Sequence, residues 1–94
     1  MFEIRRSEAG EVFLSGRFDA SRVQEAEAVF GSITESAVVD LKDLDYISSA
    51  GLGVFVATYR RLNDLGKTLA LRNMSRHVAD VFRLTGLDKL FEIR

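Results

Sequence analysis

The chain has 94 residues, with 13 Lys and Arg against 14 Asp and Glu, a net charge of −1, and neither cysteine nor proline. This length suits one domain, which we place at 1–94, and 47% hydrophobic with 29% charged residues is typical of a globular rather than a disordered chain. The balanced charge gives no electrostatic reason to expect nucleic acid. The missing cysteines exclude disulfides, and no apolar run approaches the roughly 20 residues of a membrane span, so we expect a cytoplasmic protein without membrane insertion.

The first third of the chain predicts a hairpin followed by a helix. Phe2 and Ile4 alternate with charged neighbours, which indicates a half-buried strand. A turn at 9–10 leads into a second strand over 11–15, close enough for a hairpin. Ser21, followed three residues later by a glutamine, predicts the capping box of a first helix. That helix has apolar residues at helical spacing, namely Val23, Ala26, Phe30 and Ile33.

The remaining chain predicts alternating strands and helices. A valine-rich run, Ala37 to Leu41, indicates a buried strand, and we expect the acidic stretch from Lys42 to Ser49 to be a loop. The second helix comes next, with the apolar stripe Leu52, Phe55, Val56, Tyr59 and Leu62. A strand over 68–72 and a third helix capped by Ser75 follow it. Strand, helix and strand over 37–72 form a βαβ unit with a parallel, right-handed connection.

Two serines stand where this unit passes from strand to helix. Ser48 and Ser49 are followed by Ala-Gly-Leu-Gly, which opens the second helix. The first backbone N–H groups of a helix are unpaired and the helix dipole is positive there, so this corner tolerates a negative group such as a phosphoserine. Sites in βαβ units also form at the carboxyl ends of the strands. Both arguments indicate a functional site at the same corner.

Three segments of the chain together resemble the STAS domain of bacterial anti-sigma factor antagonists. That family carries Asp-Ser-Ser/Thr-Gly-Leu-Gly after a strand, and its phosphorylated serine falls on Ser49. The segment 14–19 looks like the family's strand that ends in Gly-x-hydrophobic-Asp, and 85–91 is similar to its closing Ser/Thr-Gly-Leu segment. Three matches in the right order make a fairly specific signal. The chain departs from the pattern at Ser48, where the family usually has Asp, and at Ala50, where it usually has Ser or Thr.

The resemblance implies a fold and a function. The fold is α/β, a single STAS-like domain with a small mixed β-sheet and helices packed against it. The function is that of an anti-sigma factor antagonist in a partner-switching circuit, without enzymatic activity, cofactor or metal. Unphosphorylated protein would bind an anti-sigma factor that is also a serine kinase, phosphorylation at Ser49 would break that complex, and a PP2C-type phosphatase would reverse it.

Several residues at the corner have a structural interpretation beside the functional one. Serine is a preferred helix N-cap, so Ser49 could be only a cap, or Ser48 could be the cap while Ser49 stays exposed. Asp19 is either a second acidic element of the site or the N-cap of the first helix. Asp43 and Asp45 could hold a divalent cation, but such sites need more oxygen ligands, so solvated loop residues are the better interpretation.

The predicted partner surface combines this corner with the exposed side of the second helix. Val54 falls off the main apolar stripe, which predicts an exposed valine beside the phosphorylation site. Glycines at the helix start would let another backbone approach closely. The predicted partner-binding residues are Asp19, Ser48, Ser49, Ala50, Gly51, Gly53 and Val54.

Residues outside this surface receive simpler interpretations. We expect Arg60 and Arg61 to be a solvated basic pair, and the single histidine, His77, to have a surface or capping role. A second function class stays open: a STAS subunit that regulates a transporter or scaffold and is never phosphorylated, supported by Ser48 and Ala50. A small enzyme is the weakest interpretation, because no base, metal cluster or nucleophile arrangement supports it.

Overall fold

The computed structural model describes all 94 residues, 1–94. It contains one five-stranded sheet whose strands follow chain order, and three α-helices. One-turn 3-10 helices at Ala20–Arg22 and Leu87–Lys89 complete the elements. The elements in chain order are β1 (Phe2–Arg6), β2 (Val12–Phe18), α1 (Val23–Phe30), β3 (Ala37–Ile47), α2 (Ser49–Asp64), β4 (Leu69–Arg72), α3 (Arg76–Leu84) and β5 (Glu92–Ile93).

The sheet is mixed, as predicted. β1 and β2 form the antiparallel hairpin, whereas β2, β3, β4 and β5 run parallel. Right-handed crossovers between neighbouring parallel strands in chain order place α1, α2 and α3 on one face of the sheet. Phe55 of α2 is the centre of the core beneath them, with its ring 5.3 Å from that of Phe30 and 5.6 Å from that of Phe82. The opposite face carries no helix. None of the three helices is long and apolar enough to span a bilayer.

The loop predicted over 42–49 is wrong, because β3 continues to Ile47 and stays paired with β2. Two register shifts insert extra residues into β3 opposite β2. Each such bulge sets two residues of one strand against one of its partner, which interrupts the two-residue alternation of side chains. The buried residues therefore recur at every third position, Leu41, Leu44 and Ile47, and the charged residues between them are exposed.

Two of the three α-helices begin with a serine N-cap of the kind expected from the sequence. Ser75 caps α3 and accepts the N–H of Val78, as predicted. The Ser21 capping box is wrong, because a 3-10 turn precedes α1 and Asp19 caps that turn. The carboxylate of Asp19, directly after β2, accepts both the N–H and the hydroxyl of Ser21, so neither group is left for a capping box.

Candidate functional site

The carboxyl ends of β2 and β3 meet at the start of α2. Phe18 and Ile47 are partners in the β2–β3 register, and the N–H of Ser48 donates to the carbonyl oxygen of Phe18 across 2.9 Å. Asp19 follows Phe18, and Ser49 follows Ser48. The 3-10 turn after Asp19 also packs against α2. The fold thus brings together the two segments that sequence analysis assigned to the site.

The two serines have different roles. Ser48 has extended backbone dihedrals, and its hydroxyl accepts the N–H of Gly51 at 3.1 Å, which makes it the N-cap of α2. Ser49 is the first residue of α2 and is exposed, and its hydroxyl takes no part in the cap. This is the arrangement in which Ser48 caps and Ser49 remains accessible. A phosphate on Ser49 would lie at the positive end of a helix of 16 residues.

Gly51 and Gly53, the two glycines in the first turn of α2, also differ in their surroundings. Gly51 is buried, and a Cβ built on it would stand 2.9 Å from the side chain of Ile47 and 3.1 Å from Phe18. The close approach that Gly51 permits is therefore within the domain, to Ile47 and Phe18, and its contact with a partner stays a prediction. Gly53 is exposed, and a Cβ at this position would have no atom within 4 Å. Ala50, between the two serines and the glycines, is half-buried.

Val54 is not on the surface, so the prediction of an exposed valine beside Ser49 is wrong. Its side chain is only 5% exposed and belongs to the core. α2 packs against α1 as well as against the sheet, so its apolar face is wider than the stripe that faces the strands alone. Val54 and Thr58, one turn further on, lie in the contact between α1 and α2 and line a small groove with Phe30. The exposed side of α2 begins instead with Ser49, Gly53 and Ala57.

Asp19 acts as a cap at the edge of the corner. Its carboxylate accepts the hydroxyl of Ser21 at 2.6 Å and the N–H of Ser21 at 3.0 Å. The side-chain hydrogen bond from Ser21 is the largest cause that holds the pKa of Asp19 below its ordinary value, with Arg22 and Arg17 adding to it. Asp19 therefore stays ionised at neutral pH and presents a fixed negative charge beside the start of α2.

Three further side chains lie at this end of the sheet and were not identified from the sequence. The Arg17 guanidinium lies 4.2 Å from the ring centroid of Tyr46, and these residues are register partners on β2 and β3. Their pairing depends on the bulges of β3, and no signal in the sequence reports a bulge. Arg22, on the 3-10 turn that contacts α2, is exposed and within 3.5 Å of Glu25.

No metal centre forms around the acidic residues of β3. Asp43 and Asp45 are exposed strand residues, and nowhere do three or more His, Asp or Glu side chains gather into a group that could hold a metal ion. His77 is exposed on α3, in agreement with the surface role expected of it. Arg61 differs from the prediction: it is half-buried and donates to the carbonyl oxygens of Phe30 and Ile33, at 2.7 Å each.

Comparison with known proteins identifies the family. Residues 2–92 match the family model described as Mlab, STAS domain. Because this match spans nearly the whole chain, the protein belongs to the STAS domain family.

Relatives and solved structures agree with that assignment. An anti-sigma-B factor antagonist of Listeria monocytogenes is 34% identical over 89 residues, which cover 89% of this chain and 77% of the relative. An anti-sigma factor antagonist from Mycobacterium paratuberculosis has the same fold, with a TM-score of 0.82 at 23% identity over 99% of this chain and 83% of its own. The Bacillus cell fate determinant SpoIIAA in its phosphorylated form gives a TM-score of 0.70 at 20% identity over 100% and 91% of the two chains.

Proposed function

We propose that this protein is an anti-sigma factor antagonist that works by partner switching. In its unphosphorylated form it binds an anti-sigma factor that is also a serine kinase, and phosphorylation of Ser49 releases it. Ser49 carries this proposal, because its hydroxyl is exposed at the first residue of α2 while Ser48 holds the cap. The names of the 33–34% identical relatives support the same role.

The proposed partner surface is the accessible part of the corner. Asp19, Ser48, Ser49 and Ala50 form its edge, and Gly53 continues it along α2 with open space above its Cα. Gly51 shapes this surface from beneath by letting the helix start rest on the end of β2. A stretch of small residues beside a fixed carboxylate suits the close approach of a second protein.

A phosphate changes binding at this surface much more than it changes the fold. It adds roughly −1.5 to −2 charges at neutral pH. At the helix start the dipole favours that charge by about 0.3–1 kcal/mol. In the interface the same charge must lose its hydration or is repelled by negative groups, Asp19 among them. Either effect costs several kcal/mol. Each 1.4 kcal/mol or so lowers the affinity about tenfold, so a cost of several kcal/mol is enough to release the partner. The domain does not need to refold.

The phosphorylated state must also be reversed. The resemblance to STAS antagonists implies a PP2C-type phosphatase for this step, and the exposed position of Ser49 would leave a phosphate within reach of that enzyme. SpoIIAA, which has the same fold, has been solved in a phosphorylated form. The phosphatase would restore the neutral surface and return the protein to the anti-sigma factor.

The experiment is a calorimetric titration of the protein with its cognate anti-sigma factor kinase. Ser49→Asp is expected to weaken binding by tenfold or more, with a melting temperature close to that of the wild type. Thr34→Asp, which adds the same charge to an exposed residue before β3, is the matched control and should bind normally. Equal affinities for Ser49→Asp and the wild type would contradict the proposed switch.

The second candidate is a STAS subunit that regulates a transporter or scaffold without being phosphorylated. Ser48 in place of the usual Asp and Ala50 in place of Ser or Thr favour it. The same titration separates the two candidates, because a transporter or scaffold subunit should not bind the anti-sigma factor kinase even without phosphate. No binding by the wild type, together with no phosphate on Ser49 after incubation with the kinase and ATP, would make this second function the better one.

A further inference from the structure

The outer edge of β1 is an unpaired strand edge. β1 is the first strand of the sheet and pairs only with β2. Its five residues contain no proline or glycine, and its register with β2 has no bulge. Prolines, bulges and very short strands are among the usual devices that keep such an edge from pairing with another chain. This edge has none of the three.

The hydrogen bonds to β2 define which backbone groups face outward. The N–H of Arg17 donates to the carbonyl of Met1, and the N–H of Ser7 donates to the carbonyl of Glu11. In an antiparallel ladder, hydrogen-bonded pairs alternate with non-hydrogen-bonded ones, so the odd-numbered residues of β1 bond to β2. The backbone N–H and C=O groups of Phe2, Ile4 and Arg6 therefore point away from the sheet.

The exposed side chains of this strand are self-complementary in only one register. Glu3 and Arg5 lie on the helix-free face, and neither forms a salt bridge within the chain. A two-fold pairing centred on Glu3 would set Glu3 against its own copy, and one centred on Arg5 would set two arginines together. A pairing centred on Ile4 instead places Glu3 of each copy opposite Arg5 of the other, which gives two pairs of opposite charge.

The register centred on Ile4 also satisfies the backbone. It pairs Phe2 with Arg6 of the other copy and Ile4 with Ile4, so the outward N–H and C=O groups meet in roughly six hydrogen bonds. Glu3 and Arg5 then form non-hydrogen-bonded pairs, in which opposing side chains are closest. Arg5 is already held over the Phe13 ring at 4.2 Å, on the same face.

We propose that two copies of this chain associate through β1, antiparallel and centred on Ile4, to form one continuous sheet. Five residues from each copy bury far less than a standard interface, so the dimer is a weak one with a dissociation constant between the micromolar and millimolar ranges. This association uses the β1 edge and is independent of phosphorylation at Ser49.

Sedimentation equilibrium of the whole chain, from about 10 μM to about 1 mM, tests the dimer across that affinity range. Glu3→Arg sets an introduced arginine against Arg5 of the other copy, and Arg5→Glu sets an introduced glutamate against Glu3. Each variant alone should dimerise about tenfold more weakly, because two attractive cross-strand pairs become repulsive. An equimolar mixture of the two variants should recover the wild-type affinity as a heterodimer. Glu8→Arg, an equal charge change in the hairpin turn, is the control that should dimerise normally.

The mixture also separates pairing from folding. Arg5→Glu removes the contact with Phe13, but a folding defect would persist in the mixture, whereas a charge mismatch would be relieved. A wild-type protein that stays monomeric at about 1 mM would overturn the proposal. So would a dimer that Glu3→Arg leaves unchanged, or a mixture that dimerises no better than the variants alone.

Discussion

Gly51 lies so close to Phe18 that a methyl group at position 51 would stand 3.1 Å from the Phe18 ring and 3.1 Å from its carbonyl oxygen. That carbonyl already accepts the N–H of Ser48. The first turn of α2 therefore rests directly on the end of β2. This contact holds Ser49 and Asp19 in one fixed arrangement, on which a phosphate acts mainly through its charge.

Gly51→Ala is expected to destabilise the protein, since the added methyl group must displace buried neighbours. Overpacking of this kind costs about 1–3 kcal/mol, against a gain of up to about 1 kcal/mol from better helix propensity. Gly53→Ala, two residues later in open space, should keep or slightly raise the free energy of unfolding. Urea denaturation of both variants measures the difference. Equal stability of the two would show that the packing at Gly51 is not tight.

The serine pair separates capping from modification. Ser48→Ala should lower the free energy of unfolding by about 1 kcal/mol, because the N–H of Gly51 loses its acceptor. Ser49→Ala should change stability by less than about 0.5 kcal/mol, as surface substitutions usually do. With the cognate kinase and ATP, Ser48→Ala should still take up phosphate and Ser49→Ala should not. Phosphate mapped to Ser48 in the wild type would reverse the assignment.

Val54→Lys is expected to unfold or severely destabilise the chain, because it places an ammonium group in the contact between α1 and α2. Ala57→Lys, on the exposed side of the same helix, is the control and should fold normally. Circular dichroism and thermal melting measure both. A normally folded Val54→Lys would restore the surface position that the periodicity of α2 suggested.

Two errors of sequence analysis, the length of β3 and the position of Val54, share one origin in long-range packing. Caps at Ser48 and Ser75, the hairpin and the βαβ unit depend on residues close in sequence, and they were predictable. The length of β3 was not, because its bulges are set by pairing with β2 and replace the two-residue pattern by a three-residue one. Val54 was misplaced for a related reason: periodicity identifies one buried face of a helix, but α2 has two neighbours.

Arg61 was also misjudged from the sequence, because its hydrogen bonds reach residues far away along the chain. Its guanidinium reaches the carbonyl oxygens of Phe30 and Ile33, more than 25 residues away in sequence, and so satisfies the end of α1. Arg61→Ala should therefore lower the free energy of unfolding by about 1–3 kcal/mol, which is typical of hydrogen bonds from a charged group. Arg60→Ala, the exposed neighbour, should cost less than about 0.5 kcal/mol. Chemical denaturation distinguishes them, and equal effects would restore the interpretation of a solvated pair.

Asp40 ties β3 to the end of β4 on the helix-free face. Its carboxylate accepts the backbone N–H of Lys42 at 2.9 Å, the Asn73 amide at 3.1 Å and the Arg72 guanidinium at 3.2 Å. Burial raises the pKa of Asp40, but these three hydrogen bonds outweigh burial and hold the pKa below its ordinary value. In the unfolded chain the pKa returns to about 3.9.

The pKa difference at Asp40 predicts a pH-dependent stability. Between the folded and unfolded pKa values only the unfolded chain binds the proton, so the contribution of Asp40 is fully present above the unfolded value and disappears as pH falls through the folded one. Asp40→Asn should therefore lower the free energy of unfolding by about 1–2 kcal/mol at pH 7, with the deficit shrinking towards pH 3. Asp43→Asn, on the same strand but exposed, should have little effect at either pH. Urea denaturation at both pH values measures this, and a deficit of the same size at pH 3 and pH 7 would rule out the charged carboxylate as its cause.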